Sequence, residues 1–341
     1  MTDVSGQFSI EDVDPGRWSA LTGSFPAHNY ESSVVYAQAM AARSKSVARF
    51  MTVHSGRELI GGAAVRIRKI PFLGRGVAYI SGGPFVSCNE AGLLEFGRLA
   101  AVASAIRHRL VERERNVLLL RAAAIREERI EHFDSSFASM GFLKSSHVRS
   151  YRTIMIDLTI EDKQLRAGLH SKWRNCLNLA GRSGLSVESG SSRELAGRFL
   201  PIFHAMQDSK EFSVKMTPEF FFNLDMQNTG AVIFIARKDG RDVGGHVLSL
   251  LGNTAVYLFG ATNEAGRDAK SGYQLQWSAM MLAKQRGFAW YDLGGIDRQS
   301  NPGGFQFKNR MGGTVFQSPG PYQCLPEGLL FRAIDRLLSL R

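Results

Sequence analysis

The sequence predicts an α/β (α+β) protein built from two tandem copies of one unit. Segments rich in β-branched and aromatic residues alternate with helical patterns, in the order strand, turn, strand, strand, helix, strand, helix. In addition, RELIGGAAVRI at Arg57–Ile67 is similar to RDVGGHVLSL at Arg241–Leu250. Each is followed by a strand, a glycine-containing break, a long helix and a short strand, the pattern of an internal duplication. Finally, 341 residues exceed one ordinary core, so about two domains are expected.

In the first half, Val34–Ala42 has helical spacing and Ala48–Val53 reads as a strand. A His-Ser-Gly-Arg turn leads to a strand at Leu59–Ile67, and Gly76–Ser81 is a third, ended by Gly82-Gly83-Pro84. Ala91–Arg115 carries apolar residues at Leu94, Leu99, Val102, Ile106 and Leu110 opposite an Arg/Glu face, which predicts one long helix. A short apolar strand at Val117–Leu120, a helix at Phe133–Met140 stopped by Gly141, and extended chain at Val148–Leu158 complete the unit.

In the second half, Leu169, Trp173, Leu177 and Ala180 repeat at helical spacing within a single helix predicted over Leu165–Arg182, with Arg174, Asn178 and Arg182 on another face. Trp173 and Trp277 fall on apolar helical positions and are expected in the core. After a strand at Leu185–Glu188 comes a helix interrupted by Pro201, then one opened by Thr217 as N-cap and Pro218 at its first position. Three strands, Ala231–Arg237, Val243–Leu251 and Thr254–Ala261, form a meander, and Tyr273–Arg286 is a helix. The chain then enters a short buried strand, Ala289–Leu293, a Gly294-Gly295 break, and a loop rich in Gly, Pro and Asn that closes on Phe307 and Lys308. An acid at a strand end, amides freed by glycines and a lysine beside an aromatic ring are the parts of a polar substrate site.

Composition narrows the partners. The formal charge of +11 and pI of about 9.8 favour polyanions such as nucleic acid, a phosphorylated lipid surface or a nucleotide-linked substrate. No segment approaches the roughly 18 uninterrupted apolar residues of a membrane span, so a cytoplasmic protein is expected, with contact at the inner membrane face left open. Cys88, Cys176 and Cys324 are widely spaced, without CxxC or paired His, so no disulfide framework and no metal site is expected and all three read as small buried hydrophobes. Pro326–Arg341 is amphipathic and suited to packing on the first half or to lying on an anionic membrane surface.

The repeated unit, an antiparallel meander followed by a helix and a crossover strand, resembles the acetyltransferase-type (GNAT) fold. The second half resembles the Fem family, which adds bridge amino acids to peptidoglycan precursors from aminoacyl-tRNA, and the GNAT-like acyltransferases grouped with it. The likeness rests on Ser171-Lys172-Trp173-Arg174-Asn175, Val243-Gly244-Gly245-His246, Tyr257 to Thr262, Leu275-Gln276-Trp277, Tyr291 to Ile296, and Phe307-Lys308 followed by Gly312-Gly313. Order and spacing over this stretch make it specific, whereas the first half matches in outline only. The resemblance implies two GNAT-like domains, residues 1–157 plus 320–341 and residues 158–319, with Cys324–Arg341 returning to the first. It also implies a monomer. The loop Gly266–Gly272, GRDAKSG, departs from the Gly-rich pyrophosphate loop of acetyltransferases and makes coenzyme A the disfavoured donor.

The resemblance also places an essential lysine at Lys308, where an ammonium would steady a developing oxyanion or hold donor phosphates. Asp292 admits three roles: orienting the amine, accepting its proton, or capping the Gly-Gly turn. Lys172, Arg174 and Asn175 are candidates for gripping an anionic acceptor or a tRNA stem. His246, Tyr257, Gly294, Gly295 and Phe307 are candidate lining residues, with a structural role open for His246 and Tyr257. The expected function is acyl transfer, from aminoacyl-tRNA to an amine of a nucleotide- or lipid-linked peptidoglycan or other envelope precursor, with no tightly bound cofactor. The alternatives are an acyl-CoA-dependent N-acyltransferase acting on an amino sugar or amino acid, and a non-catalytic basic module that binds RNA or the envelope.

Overall fold

The computed structural model describes residues 8–23, 25, 28–71, 75–86, 96–145, 150–210 and 216–328. Cys88 and the amphipathic segment beyond Gly328 lie outside them. The chain divides into two compact units, Met1–Arg152 with Phe316–Arg341, and Thr153–Val315.

The first unit contains β1 (Phe8–Val13), α1 (Pro15–Thr22), α2 (Val34–Arg43), β2 (Val47–Ser55), β3 (Glu58–Lys69), β4 (Gly76–Ser81), β5 (Phe85–Val86) and α3 (Phe96–Arg107). A π-helical turn at His108–Arg113 extends α3 before β6 (Val117–Arg121), β7 (Ile125–Arg126), α4 (Ile130–Ser139) and β8 (Leu143–Lys144). The chain then forms β9 (Arg152–Asp157), α5 (Asp162–Gly168), α6 (Ser171–Gly181), β10 (Ser186–Gly190), α7 (Arg193–Lys210), α8 (Pro218–Phe222), β11 (Ala231–Lys238), β12 (Arg241–Leu251) and β13 (Thr254–Thr262). It ends with α9 (Glu264–Asp268), α10 (Ser271–Gln285), β14 (Trp290–Asp292), α11 (Pro302–Asn309), β15 (Thr314–Gln317) and β16 (Tyr322–Cys324).

The duplication is visible strand by strand. β2, β3 and β4 form an antiparallel meander with β6 parallel to β4, and β11, β12 and β13 form another with β14 parallel to β13. The Gly-Gly pair shared by the two repeats does the same work in both. A Cβ on Gly61 would lie 2.7 Å from Val102 of α3, and one on Gly62 would lie 3.2 Å from Trp18 of α1. In the second unit a Cβ on Gly244 would lie 2.8 Å from Ser271 of α10, and one on Gly245 would lie 2.6 Å from Phe199 of α7. Two adjacent glycines face opposite sides of a strand, so each pair lets a helix press on both faces of its sheet. Trp173, Leu275 and Tyr291 fill the α6/α10 side of the second unit, while Phe199, Phe203 and Phe259 pack on the α7 side.

Several expectations shift. β9 belongs with the second unit rather than the first, because it pairs with β14 from Asp157↔Trp290 to Met155↔Asp292. The return to the first unit is made by β16, which inserts between β6 and β8. The single helix expected over Leu165–Arg182 is two, since Leu169 and His170 adopt extended backbone and His170 Nδ1 caps α6 by accepting from Lys172 N–H. α7 continues through Pro201 without interruption, its Phe199 and Phe203 buried well enough to offset the lost backbone bond. Cys324 is buried but Cys176 is half-buried. Among the described residues no helix is long and apolar enough to cross a membrane.

Candidate functional site

The site is built where β13 and β14 part. Their parallel pairing covers only Thr254–Val256 against Trp290–Asp292, and β13 then runs on to Thr262 while β14 stops. At this fork Gly294 turns the chain with φ +73°, and a Cβ there would lie 2.6 Å from the Tyr257 carbonyl. Only glycine meets both demands.

Asp292, buried at the end of β14, accepts from Gly294 N–H at 2.8 Å and from the Thr153 hydroxyl of β9, and Thr153 also donates to Gly294 O at 3.0 Å. Its carboxylate thus pins the Gly-Gly turn. Thr153 was not among the expected site residues, and nothing in its local sequence distinguishes it; only the β9–β14 pairing brings it to the fork.

The segment after the fork is not loop throughout. Asp297 organises a turn, and Asn301 accepts from Gly304 N–H at 2.9 Å to cap α11, with Pro302 at its first position. Lys308 therefore sits in the last turn of a helix, where a positive charge suits the exposed carbonyls. Its Nζ donates to Gly295 O at 2.8 Å and lies 5.4 Å from the centre of the Tyr257 ring. Although the residue as a whole is half-buried, the protein packed around its ammonium lowers the pKa to about 8, against the opposing pull of the Asp292 carboxylate. Phe307 seats α11 through ring contacts with Trp173 at 5.8 Å and Tyr273 at 5.1 Å.

His246 and Tyr257 complete the cluster, their rings edge to face at 4.8 Å. His246 lies opposite Gly260, and a bulge that skips Leu258 turns Tyr257 to the same face of the sheet. Gly260 makes room for both: a Cβ there would sit 2.0 Å from Tyr257 Oη and 2.7 Å from His246 Nε2. Gly260→Ala is expected to displace the pair, destabilise the protein by about 1–3 kcal/mol and lower turnover, as urea titration and steady-state rates would show.

Burial above all, joined by the Lys308 charge and opposed by the Leu275 backbone, brings the His246 pKa down to about 3 and holds the ring neutral. His28 in the first unit is likewise lowered by burial, to about 4. An unfolded histidine protonates near pH 6.5, so between there and pH 4 to 3 the unfolded chain binds protons that the folded one does not. Stability should decline as pH falls through that window. Urea midpoints measured against pH should show the decline, and His246→Gln should flatten it.

The expected α6 residues are placed differently. Arg174 donates to Ala167 O at 2.9 Å and to Leu169 O, closing the end of α5, while Lys172 and Asn175 are exposed. Trp173 is core, but Trp277 is half-buried and lines a surface cavity. Among the described residues no group of three or more His, Cys, Asp or Glu side chains is placed to hold a metal ion.

Residues 224–338 match the model of the FemAB family. The lipid II:glycine glycyltransferase of Staphylococcus aureus is 25% identical over 120 residues, covering 34% of this chain and 28% of that protein. Its Staphylococcus epidermidis counterpart is 25% identical over 107 residues, 30% of this chain and 26% of that one. The match thus spans little more than a quarter of the length of these relatives. In fold, FemX superposes with a TM-score of 0.77 at 16% identity, over 96% of this chain and 100% of that one. The structure of L-PGS from Bacillus licheniformis gives 0.51 at 14% identity, over 97% and 99% of the two chains. The FemAB family signature thus runs through the strands and helix that build the fork, in a chain whose fold is similar to that of FemX.

Proposed function

We propose that this protein is an aminoacyltransferase that moves an amino acid from the ester of an aminoacyl-tRNA to an amine of a peptidoglycan precursor. The observation that carries the reading is the Lys308 ammonium, held at the fork of β13 and β14 by Gly295 O and flanked by the Tyr257 ring. One of its three N–H donors serves that carbonyl, which leaves donors for an oxyanion.

In the reaction the neutral amine attacks the ester carbonyl, a C–N bond forms, and the tetrahedral oxyanion is stabilised by Lys308. Collapse breaks the C–O bond to the ribose, and the proton lost by the amine balances the one gained by the departing ribose oxygen. Asp292 pins the turn that presents Gly295 O and biases Lys308 toward its charged form. The relatives in Staphylococcus are named for transfer of glycine to lipid II, which supports an envelope precursor as acceptor. The test is to incubate the protein with charged tRNAs and amine-bearing muropeptide precursors and follow the mass gain. Product that appears with acyl-CoA in place of tRNA, or with neither, would overturn the donor assignment.

A further inference from the structure

A cavity of about 480 Å³ opens on the second unit between α6 and α10, lined by Arg166, Leu177, Asn178, Gly181, Arg182, Gln274 and Trp277. Its lining includes two arginines and no acidic residue. Arg166 lies 5.9 Å from the centre of the Trp277 ring and donates to Asn178 Oδ1 at 2.5 Å, and neither it nor Arg182 is paired with a carboxylate among the described residues. By contrast Arg49, Arg121 and Arg198 are tied to acids. Two guanidiniums without a carboxylate partner around the half-buried indole supply the two contacts that a nucleotide of a single strand seeks: charge for phosphate and an aromatic ring for a base.

The setting favours a strand over a compact dianion. The cavity sits at the C-terminal end of α6, where Gly181 and Arg182 leave helix carbonyls that disfavour concentrated negative charge. The same two helices carry the exposed Lys163 and Lys172, with Asp162 also exposed at the start of α5. Tyr273, one turn before Trp277 on α10, packs on Trp173 and Phe307, so the same pair of helices also seats the segment that holds Lys308.

We infer that this cavity binds a nucleotide of the single-stranded end of the donor RNA, an assignment that rests on the aminoacyl-tRNA reading for its choice of RNA. The experiment is fluorescence anisotropy of a labelled single-stranded RNA ending in CCA, titrated with the full chain at several salt concentrations and challenged with UDP. The Arg166→Ala/Arg182→Ala double variant should weaken RNA binding about tenfold and flatten the salt dependence by about 1.4 in logarithmic slope, as loss of two phosphate contacts requires. Trp277→Ala should weaken binding about tenfold through lost stacking. Unchanged RNA affinity in the folded double variant overturns the assignment. So does UDP binding that depends on these arginines while RNA binding does not. If no charged tRNA supports transfer yet RNA affinity still depends on Arg166 and Arg182, the aminoacyl-tRNA reading fails, and the cavity is an RNA site but not one for a donor.

Discussion

Lys308→Ala is expected to lower kcat about a hundred- to a thousandfold, the usual cost of removing one oxyanion donor, with the fold intact. The side chain is half-buried and contributes one hydrogen bond, to Gly295 O, so its removal should cost only about 1 kcal/mol of stability. Its loss is felt in the transition state, where negative charge develops, so KM for both substrates should change little. Because its pKa is lowered to about 8, the ammonium is lost as pH rises through that value. The wild-type rate should therefore fall on the alkaline side even though the attacking amine is by then more nucleophilic. Residual activity of Lys308→Ala should lack that limb. Steady-state rates of purified protein against pH decide the matter, and turnover undiminished in the variant would remove Lys308 from the site.

Asp292→Asn carries the second large expectation. The carboxylate accepts from Gly294 N–H and Thr153 and also raises the Lys308 pKa against the effect of burial. An amide preserves the size and one acceptor oxygen but removes the charge. The Lys308 pKa should then fall further, moving the alkaline limb to lower pH and reducing the rate at pH 8 about fivefold for the first unit of displacement. Disturbing this buried network should also destabilise the protein by about 1–3 kcal/mol. Thr153→Val separates the two effects: it removes a hydrogen bond and leaves the charge, so it should lower the urea midpoint without moving the limb. An unmoved limb in Asp292→Asn would mean that the acid serves the turn alone.

The strands and most helices are legible in the residues because their physics is local. Alternation and turn glycines mark β2 to β4 and β11 to β13, and Thr217-Pro218 marks the start of α8, where Thr217 accepts from Phe220 N–H. The same local rules were sufficient for α11, since Asn301-Pro302 is a cap followed by a first-turn proline; the run of glycines beside it argued for loop. The break at His170 is less visible, because the apolar spacing continues across it and only the cap formed by its ring shows where α6 begins.

The sequence by itself determined the repeated unit, the Gly-Gly pairs that let helices press on both faces of each sheet, and the pairing of Asp292 with the Phe307-Lys308 segment as the centre of interest. Tertiary structure decided which side chains meet. Thr153 reaches Asp292 through the β9–β14 pairing, Tyr257 joins His246 through a bulge, and Arg174 turns to the carbonyls of α5, leaving Arg166 and Arg182 beside Trp277. Each of these depends on register or packing between segments far apart in the chain. Periodicity reports the face a residue occupies, and only the folded chain sets the group that stands opposite it.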